Sequence, residues 1–548
     1  MPLIFRILFV VAATAFVPAA RAESVSLPDN DVMMRALVDE LDRSMKSMML
    51  EDLPKPYFIQ FRADDRLNYS IVASYGGLVQ SSKERSRRVL TRIRVGNYEF
   101  DNTNFLRSFG SGALLPIEDD YTAIRHAVWS ACDRDYKGAV ETLAQKAAYL
   151  RTKQEDEERP VDYTPAEPVV HMDPTPELAF DAKVWEGRIK QLSERFARYP
   201  DIQESGVSLA GGVVNQYTIN SEGTRLRVGD KGIIISAQAQ LQAADGMLIS
   251  DSVTFLGEEE SDLPSLDDML ARIDKLCTTL TAIAKGPVLE QYTGPVLFEP
   301  EAAGVVFESL LADGLAARPV PVGGRGGSDS SMERKLGLRI LPRTFNVVDD
   351  AGPKKFDGTL LLGSYRFDDE AVRPKRVSLV ERGILKNLLA GRAPTKKVSG
   401  STGHARTSGF GDPQATPSCL YFEDEAAISR AELQTEFLTA AQEEGLEYGI
   451  RVESLEPAGG GLGDPIVAYK VYVADGREEP IRGCEFLPVQ VRALKRLVAC
   501  SKEREVYNSL GGVGMSIISP AILMDELELT KIVRELDKLP ILKSPATR

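Results

Sequence analysis

The sequence predicts an α+β fold in two domains. The N-terminal domain mixes helices with an antiparallel sheet. The C-terminal domain is mostly β, with a curved or barrel-like body. Three observations carry this expectation. The chain has 548 residues, and single hydrophobic cores stop growing at roughly 250–300 residues. Up to Lys285, stretches with apolar residues three to four apart alternate with stretches of period-two alternation. Beyond Gly294, strands and turns dominate, apart from two helices. The expected divisions are a signal at 1–22, an N-terminal α+β domain at 23–150 and 181–290, a Pro- and charge-rich connection at 151–180, and the C-terminal β-rich domain at 291–548.

The first 22 residues read as an export signal. Arg6 supplies positive charge, Ile7 to Val17 is apolar, and Ala20-Arg21-Ala22 is an A-x-A cleavage site. The apolar run is too short to span a hydrocarbon core, which takes roughly 20 residues. Cleavage therefore leaves no transmembrane segment, and the expected location is periplasmic or extracellular.

Met33 to Leu53 is a helix with Met34, Leu37, Val38, Leu41, Met45 and Met48 on one face. Strands follow from Pro56 to Gly96, broken at Gly76-Gly77. There Arg88, Leu90, Arg92 and Arg94 alternate with Val89, Thr91 and Ile93, as in a sheet with one solvated face. Thr122 to Leu150 is a second helix, and Arg151 to Pro176 lacks periodicity and reads as a surface connection. A helix spans Asp181 to Arg198, strands span Val207 to Gln240 around an Asn220–Gly223 turn, and another helix spans Leu263 to Ala284. In GPVLFEPEAAGVVFESLLADGL, Gly294 to Leu315, an apolar strand turns at Glu299-Pro300 into a helix. A last helix spans Ser429 to Glu444.

Composition excludes several classes. Hydrophobic content of 43% and charged content of 27% are those of a globular chain. A net charge of −14 argues against sequence-independent nucleic-acid binding, which needs a basic face. Five scattered Cys residues are too few for a disulfide scaffold; Cys484 and Cys500 are the closest pair that export could oxidise. Gly323 to Gly327 lacks the Lys-Ser/Thr of a phosphate cradle. Asp368-Asp369-Glu370 reads as a solvated turn. There is no G-x-S-x-G, and the three His residues, His126, His171 and His404, are far apart, so no single helix builds a His-based metal site. His404, in the loop SGSTGHARTSG, is a candidate to face a cleft.

The second half resembles the TldD/PmbA family of peptidase-related proteins, also described as modulators of DNA gyrase. The resemblance rests on GPVLFEPEAAGVVFESLLADGL, GTLLLGSYRFDDEA, RVSLVERGILKNLLAG, SGSTGHAR and GGVGMSIISPAILMDELEL in order, with VVNQYTINSEGTRLRV in the first half. It implies the two-domain fold above and dimers that enclose a cavity. It also implies, for catalytic members, a zinc site made by H-E-x-x-x-H on the helix and a Cys from late in the chain. Here the hexapeptide is FESLLA. Phe307 and Ala312 stand where the two His ligands would be, Glu308 stands where the catalytic Glu would be, and no Cys falls between Tyr507 and Leu510. The expectation is a metal-free subunit with no cofactor, whose Glu308 is vestigial. Such a subunit would form a peptide-binding chamber for peptide or unfolded polypeptide, paired with itself or with a metal-bearing homologue. Two alternatives stand. One is an active metallopeptidase with zinc in a site rebuilt from Glu308, Asp313, His404 and Cys500, each a usable donor type. The other is a non-enzymatic envelope scaffold that binds peptides.

Overall fold

Asp31 opens the first helix by accepting a hydrogen bond from the backbone N–H of Met34 (2.9 Å). This is the first element of a computed structural model that describes residues 30–50, 53–106, 112–153, 159–323, 332–409, 411–458, 461–533, 539–540 and 542. The expected signal at 1–22 and residues 324–327 of the Gly-rich loop lie outside these residues. The helix, α1, is Val32–Ser47, and stops short of the apolar periodicity that continues to Leu53. Four more helices follow the expected periodicities: α2 Tyr121–Lys153, α3 Ala182–Glu194, α4 Leu266–Lys285 and α5 Pro300–Leu310. The sixth, α6 Arg430–Glu443, is opened by a capping box between Ser429 and Glu432.

Seven strands make the N-terminal sheet: β1 Pro56–Ser74, β2 Gly77–Val95, β3 Gly112–Leu114, β4 Val170–Met172, β5 Ile202–Asn220, β6 Arg225–Gln242 and β7 Leu248–Gly257. The order is β3-β2-β1-β5-β6-β4, with β7 also on β6. Period two sets its faces. Ile59, Phe61 and Ala63 of β1 with Val89 and Ile93 of β2 pack on Leu37 of α1 and Ile124 and Val128 of α2. Ile71 and Ala73, with Ile233 and Ile235, pack on Trp185 of α3 and Ile273 of α4. The helices thus share one face. The other face carries Gln60, Arg62, Arg92 and Arg94 and meets the C-terminal domain.

That last point corrects the expected solvated face: Arg92 is only 7% exposed and Arg94 only 6%. The supposed surface connection is corrected too, because Tyr163 within it is 2% exposed. Arg94 lies over one side of the Tyr163 ring at 3.6 Å and Arg392, from the C-terminal domain, over it at 4.1 Å.

The C-terminal sheet has eleven strands. They are β8 Gln291–Phe298, β9 Phe345–Asp349, β10 Val377–Glu381, β11 Ile384–Leu385, β12 Cys419–Asp424, β13 Tyr448–Leu455, β14 Pro465–Tyr472, β15 Glu478–Ile481, β16 Cys484–Phe486, β17 Leu497–Ser509 and β18 Met515–Lys531. The path is β11-β10-β9-β12-β18-β8-β13-β14-β15, with β16 and β17 also on β18. The fold class is the expected α+β one. The sheet is mixed and its path is open, with β11 and β15 at its two ends, so the barrel-like body does not close. All five Cys residues are free and buried, so Cys484 and Cys500 are not joined. Among the described residues, no helix is long and apolar enough to cross a membrane.

Candidate functional site

β8 lies between β18 and β13 and delivers the chain to Glu299, after which Pro300 opens α5. Proline suits this position because its missing N–H has no partner in the first turn anyway. The inner face of α5 is apolar: Ala302, Ala303, Val306 and Phe307 are buried in the C-terminal core. The Phe307 ring stacks on Phe422 of β12, with centroids 3.8 Å apart and planes 9° apart. Ala312 lies beyond the helix, in a one-turn 3₁₀ segment, and is 2% exposed. The two positions matched to metal ligands are therefore part of the core.

Gly304 and Glu308 lie on the opposite face, under β17. A Cβ on Gly304 would stand 2.5 Å from the Cβ of Tyr507, so only glycine lets helix and strand approach this closely. Glu308 accepts hydrogen bonds from Tyr507 Oη (2.9 Å) and Ser509 Oγ (2.6 Å). Burial, with the Glu308 carboxylate beside it, pushes the Tyr507 hydroxyl well above its ordinary pKa. The stretch expected to face the helix, Tyr507 to Leu510, does so, and two hydroxyls there occupy the carboxylate.

Seven residues before Glu308, Glu301 stands on the same side of the helix, at the junction of the two domains. Its side chain is exposed by area but walled in by the fold. That enclosure, followed by the charges of Asp251 on β7 and Glu505 on β17, pushes its carboxyl up to about 7. Asp251 is itself raised to about 6 by enclosure.

The remaining sequence candidates are dispersed. His404 is fully buried, which corrects the expectation that it faces a cleft. Its Nδ1 lies 3.0 Å from Thr402 Oγ1 and its Nε2 lies 3.1 Å from Asp349 Oδ1. Ser418 donates to the same carboxylate through its N–H (2.8 Å) and its hydroxyl. A hydrolase triad sets the imidazole between Ser and Asp. Here both groups serve one buried carboxylate, so the arrangement holds loop to strand. Cys500 is 1% exposed with its Sγ 3.5 Å from Asp424 Oδ2, so it too lines no cleft. Asp313 is exposed and pairs with Arg318 at 2.5 Å. His126 is exposed beside Trp129, and His171 lies 2.8 Å from Asp173.

Zinc needs three or four N, S or O donors converging at about 2.0–2.3 Å. Among the described residues, no three His, Cys, Asp or Glu side chains are grouped to hold a metal ion. Phe307 and Ala312 offer no lone pair, and Glu308, Asp313, His404 and Cys500 each answer to a different partner. The described residues do not fit the ion.

Asp368, Asp369 and Glu370 form a cluster that the sequence reading missed. They are 3–5% exposed, which corrects the expected solvated turn. Asp368 accepts the N–H groups of Glu370, Val372 and Ala405 at 2.8–3.0 Å. Asp369 pairs with Arg62 of β1 at 2.9 Å and its carbonyl accepts from Gln60. Glu370 accepts from the N–H of Arg392 at 2.7 Å. Burial and the neighbouring Glu370 hold the Asp368 carboxyl well above the usual range. Arg392 reaches back to Glu222 (2.6 Å) and to the carbonyl of Thr164 (2.8 Å). The signal in the sequence was three contiguous acids with arginines to meet them on both domains, Arg62 of β1 and Arg392. The cluster joins the two domains.

Residues 291–531 match the profile of the PmbA/TldA metallopeptidase C-terminal domain. A metalloprotease of Methanocaldococcus jannaschii is 33% identical over 119 residues, covering 22% of this chain and 24% of its own length. One of Archaeoglobus fulgidus is 27% identical over 128 residues, covering 23% and 28%. The match thus spans only about a quarter of either relative. Two solved structures share the fold at a TM-score of 0.61. A modulator-of-DNA-gyrase protein of Thermotoga maritima is 14% identical over 90% of this chain and 99% of its own. TldE of Thermococcus kodakarensis is 12% identical over 90% and 100%.

Proposed function

Since the chain belongs to the TldD/PmbA family through its C-terminal domain, we propose that it is a metal-free subunit of this family, exported and built to hold peptide rather than to cleave it alone. The observation that carries the reading is the state of α5. The Phe307–Phe422 stack and buried Ala312 fill the two ligand positions, and Glu308 is held by Tyr507 and Ser509.

What this chain's residues do in the proposal is bind and orient. β17 pairs with β18 along one edge. On the other edge its only pairing among the described residues is the bridge from Ser501 to Ile428. An extended peptide adds to such an edge through main-chain hydrogen bonds. It would then lie beside Tyr507, Glu505 and Glu301. The acidic wall favours a peptide with a free ammonium or basic side chains. A metal-bearing homologue would supply the hydrolytic chemistry. The TldE relationship in fold makes a family partner the natural one.

The test combines metal analysis with capture of a partner. The purified chain is expected to carry no stoichiometric zinc and to show no peptidase activity alone. With a homologue that carries intact H-E-x-x-x-H, it is expected to co-purify and to change that protein's cleavage of peptides. Stoichiometric zinc on the isolated chain, lost in Glu308→Ala, would overturn the proposal.

A further inference from the structure

Away from α5, the segment from Leu487 to Arg496 arches between β16 and β17 beside β18 and encloses a cleft of about 600 Å³. This is the size of a small-molecule site, roughly 300–1,000 Å³. The cleft lies along β18 at residues 524–528. Tyr507 pairs with Ile517, at least seven residues back along that strand. At about 3.3 Å per residue the two sites are roughly 20 Å or more apart.

Its lining has a specific character. Met524 and Leu527 are buried and present apolar atoms to the cleft, and Leu487 stands exposed at its edge. Arg496 and Glu526 face each other at 3.4 Å. Two further charges of opposite sign, Arg492 and Glu528, also line the cleft. Both are exposed, and among the described residues the side chain of neither has a hydrogen-bond or ion-pair partner. A cleft that combines an apolar wall with one free cation and one free anion is complementary to a small zwitterion with an apolar side chain.

We infer that this cleft is a binding site for a short peptide with free ends. The peptide carboxylate meets Arg492, its ammonium meets Glu528, and an apolar side chain rests on Met524, Leu527 and Leu487. Charge-assisted contacts of this kind fix orientation, and the apolar wall supplies the preference for side chain. The inference concerns a different face from the Glu308 helix and does not rest on the chain being metal-free.

The test is calorimetric titration of the full chain with Leu-Leu and with its N-acetylated, C-amidated form. Leu-Leu is expected to bind saturably and the blocked form at least about tenfold more weakly. Arg492→Gln and Glu528→Gln are each expected to weaken Leu-Leu by about tenfold. Both residues are exposed, so the urea midpoint should stay unchanged and a folding defect would be visible separately. Three results would overturn the inference: no saturable binding at millimolar dipeptide, equal binding of the blocked peptide, or indifference to both substitutions. Loss of binding in Glu308→Gln with full binding in Arg492→Gln would place the peptide at α5 and overturn it as well.

Discussion

Phe307→Ala removes one ring of a buried stack and leaves a void beside Phe422. Truncations of this kind cost about 3–5 kcal/mol, which a urea titration reads as a lower midpoint. A loss below about 1 kcal/mol would mean that Phe307 is not packed as described. Glu301 gives a prediction in pH. Its carboxyl is raised from 4.5 to about 7 in the folded chain, so between those values the folded form holds a proton that the unfolded form has released. Its contribution to stability is therefore fully present below about pH 4.5 and is lost as the pH rises through about 7. Asp251, Glu505 and Glu453 add negative charge around it and Lys275 opposes them. Glu301→Gln should gain stability relative to the parent at pH 8 but not at pH 4.5, and parallel profiles for the two proteins would refute this.

At the scale of elements, the contact of α5 with β17 depends on Gly304. Gly304→Ala drives a methyl into the Tyr507 side chain at 2.5 Å, so the helix and strand must separate. The expected loss is about 1–3 kcal/mol, with increased exposure of the Glu308 pocket to hydrogen exchange at Tyr507 and Ser509. An unchanged midpoint would show that the strand gives way freely. This element was legible in the sequence: the strand, the turn at Pro300 and the apolar spacing around Phe307 are local signals. So was the approach of Tyr507 to Leu510, though only through the family resemblance. What faces α5 from below was not legible. Phe422 lies 115 positions on, and nothing in its own segment, CLYFED, marks it as a stacking partner. The Arg run of β2 was misread for the same reason. Alternation shows two faces, but it does not tell whether the charged one meets water or another domain. His404 and Asp349 likewise meet only through the packing of loop on sheet.

Over the whole molecule, the seam through Asp369, Arg62, Arg392 and Tyr163 makes the domains interdependent. Asp369→Ala strips Arg62, 11% exposed, of its closest carboxylate. Breaking a buried pair in this way costs about 3–5 kcal/mol. Both tryptophans, Trp129 and Trp185, belong to helices on the N-terminal sheet. Tryptophan fluorescence therefore follows that domain alone, while circular dichroism follows both. In the parent the two signals should change together. In Asp369→Ala they should separate, and continued coincidence would show that the seam does not couple the domains.

If the proposed metal-free reading holds, the Phe307–Phe422 stack also bears on whether a zinc site could be built at α5. A single Phe307→His change sets an imidazole into a dry core, with Ala312 and Ser509 offering no second strong donor. The ring stack is lost at once and no coordination is gained. Introducing Ala312→His or Ser509→Cys first fares no better, since each unbalances a packed or hydrogen-bonded position before any metal can bind. Every one-step route to such a site runs downhill in stability, so the stack works as a ratchet. Natural variation should keep position 307 apolar and spend its freedom on surfaces away from this core.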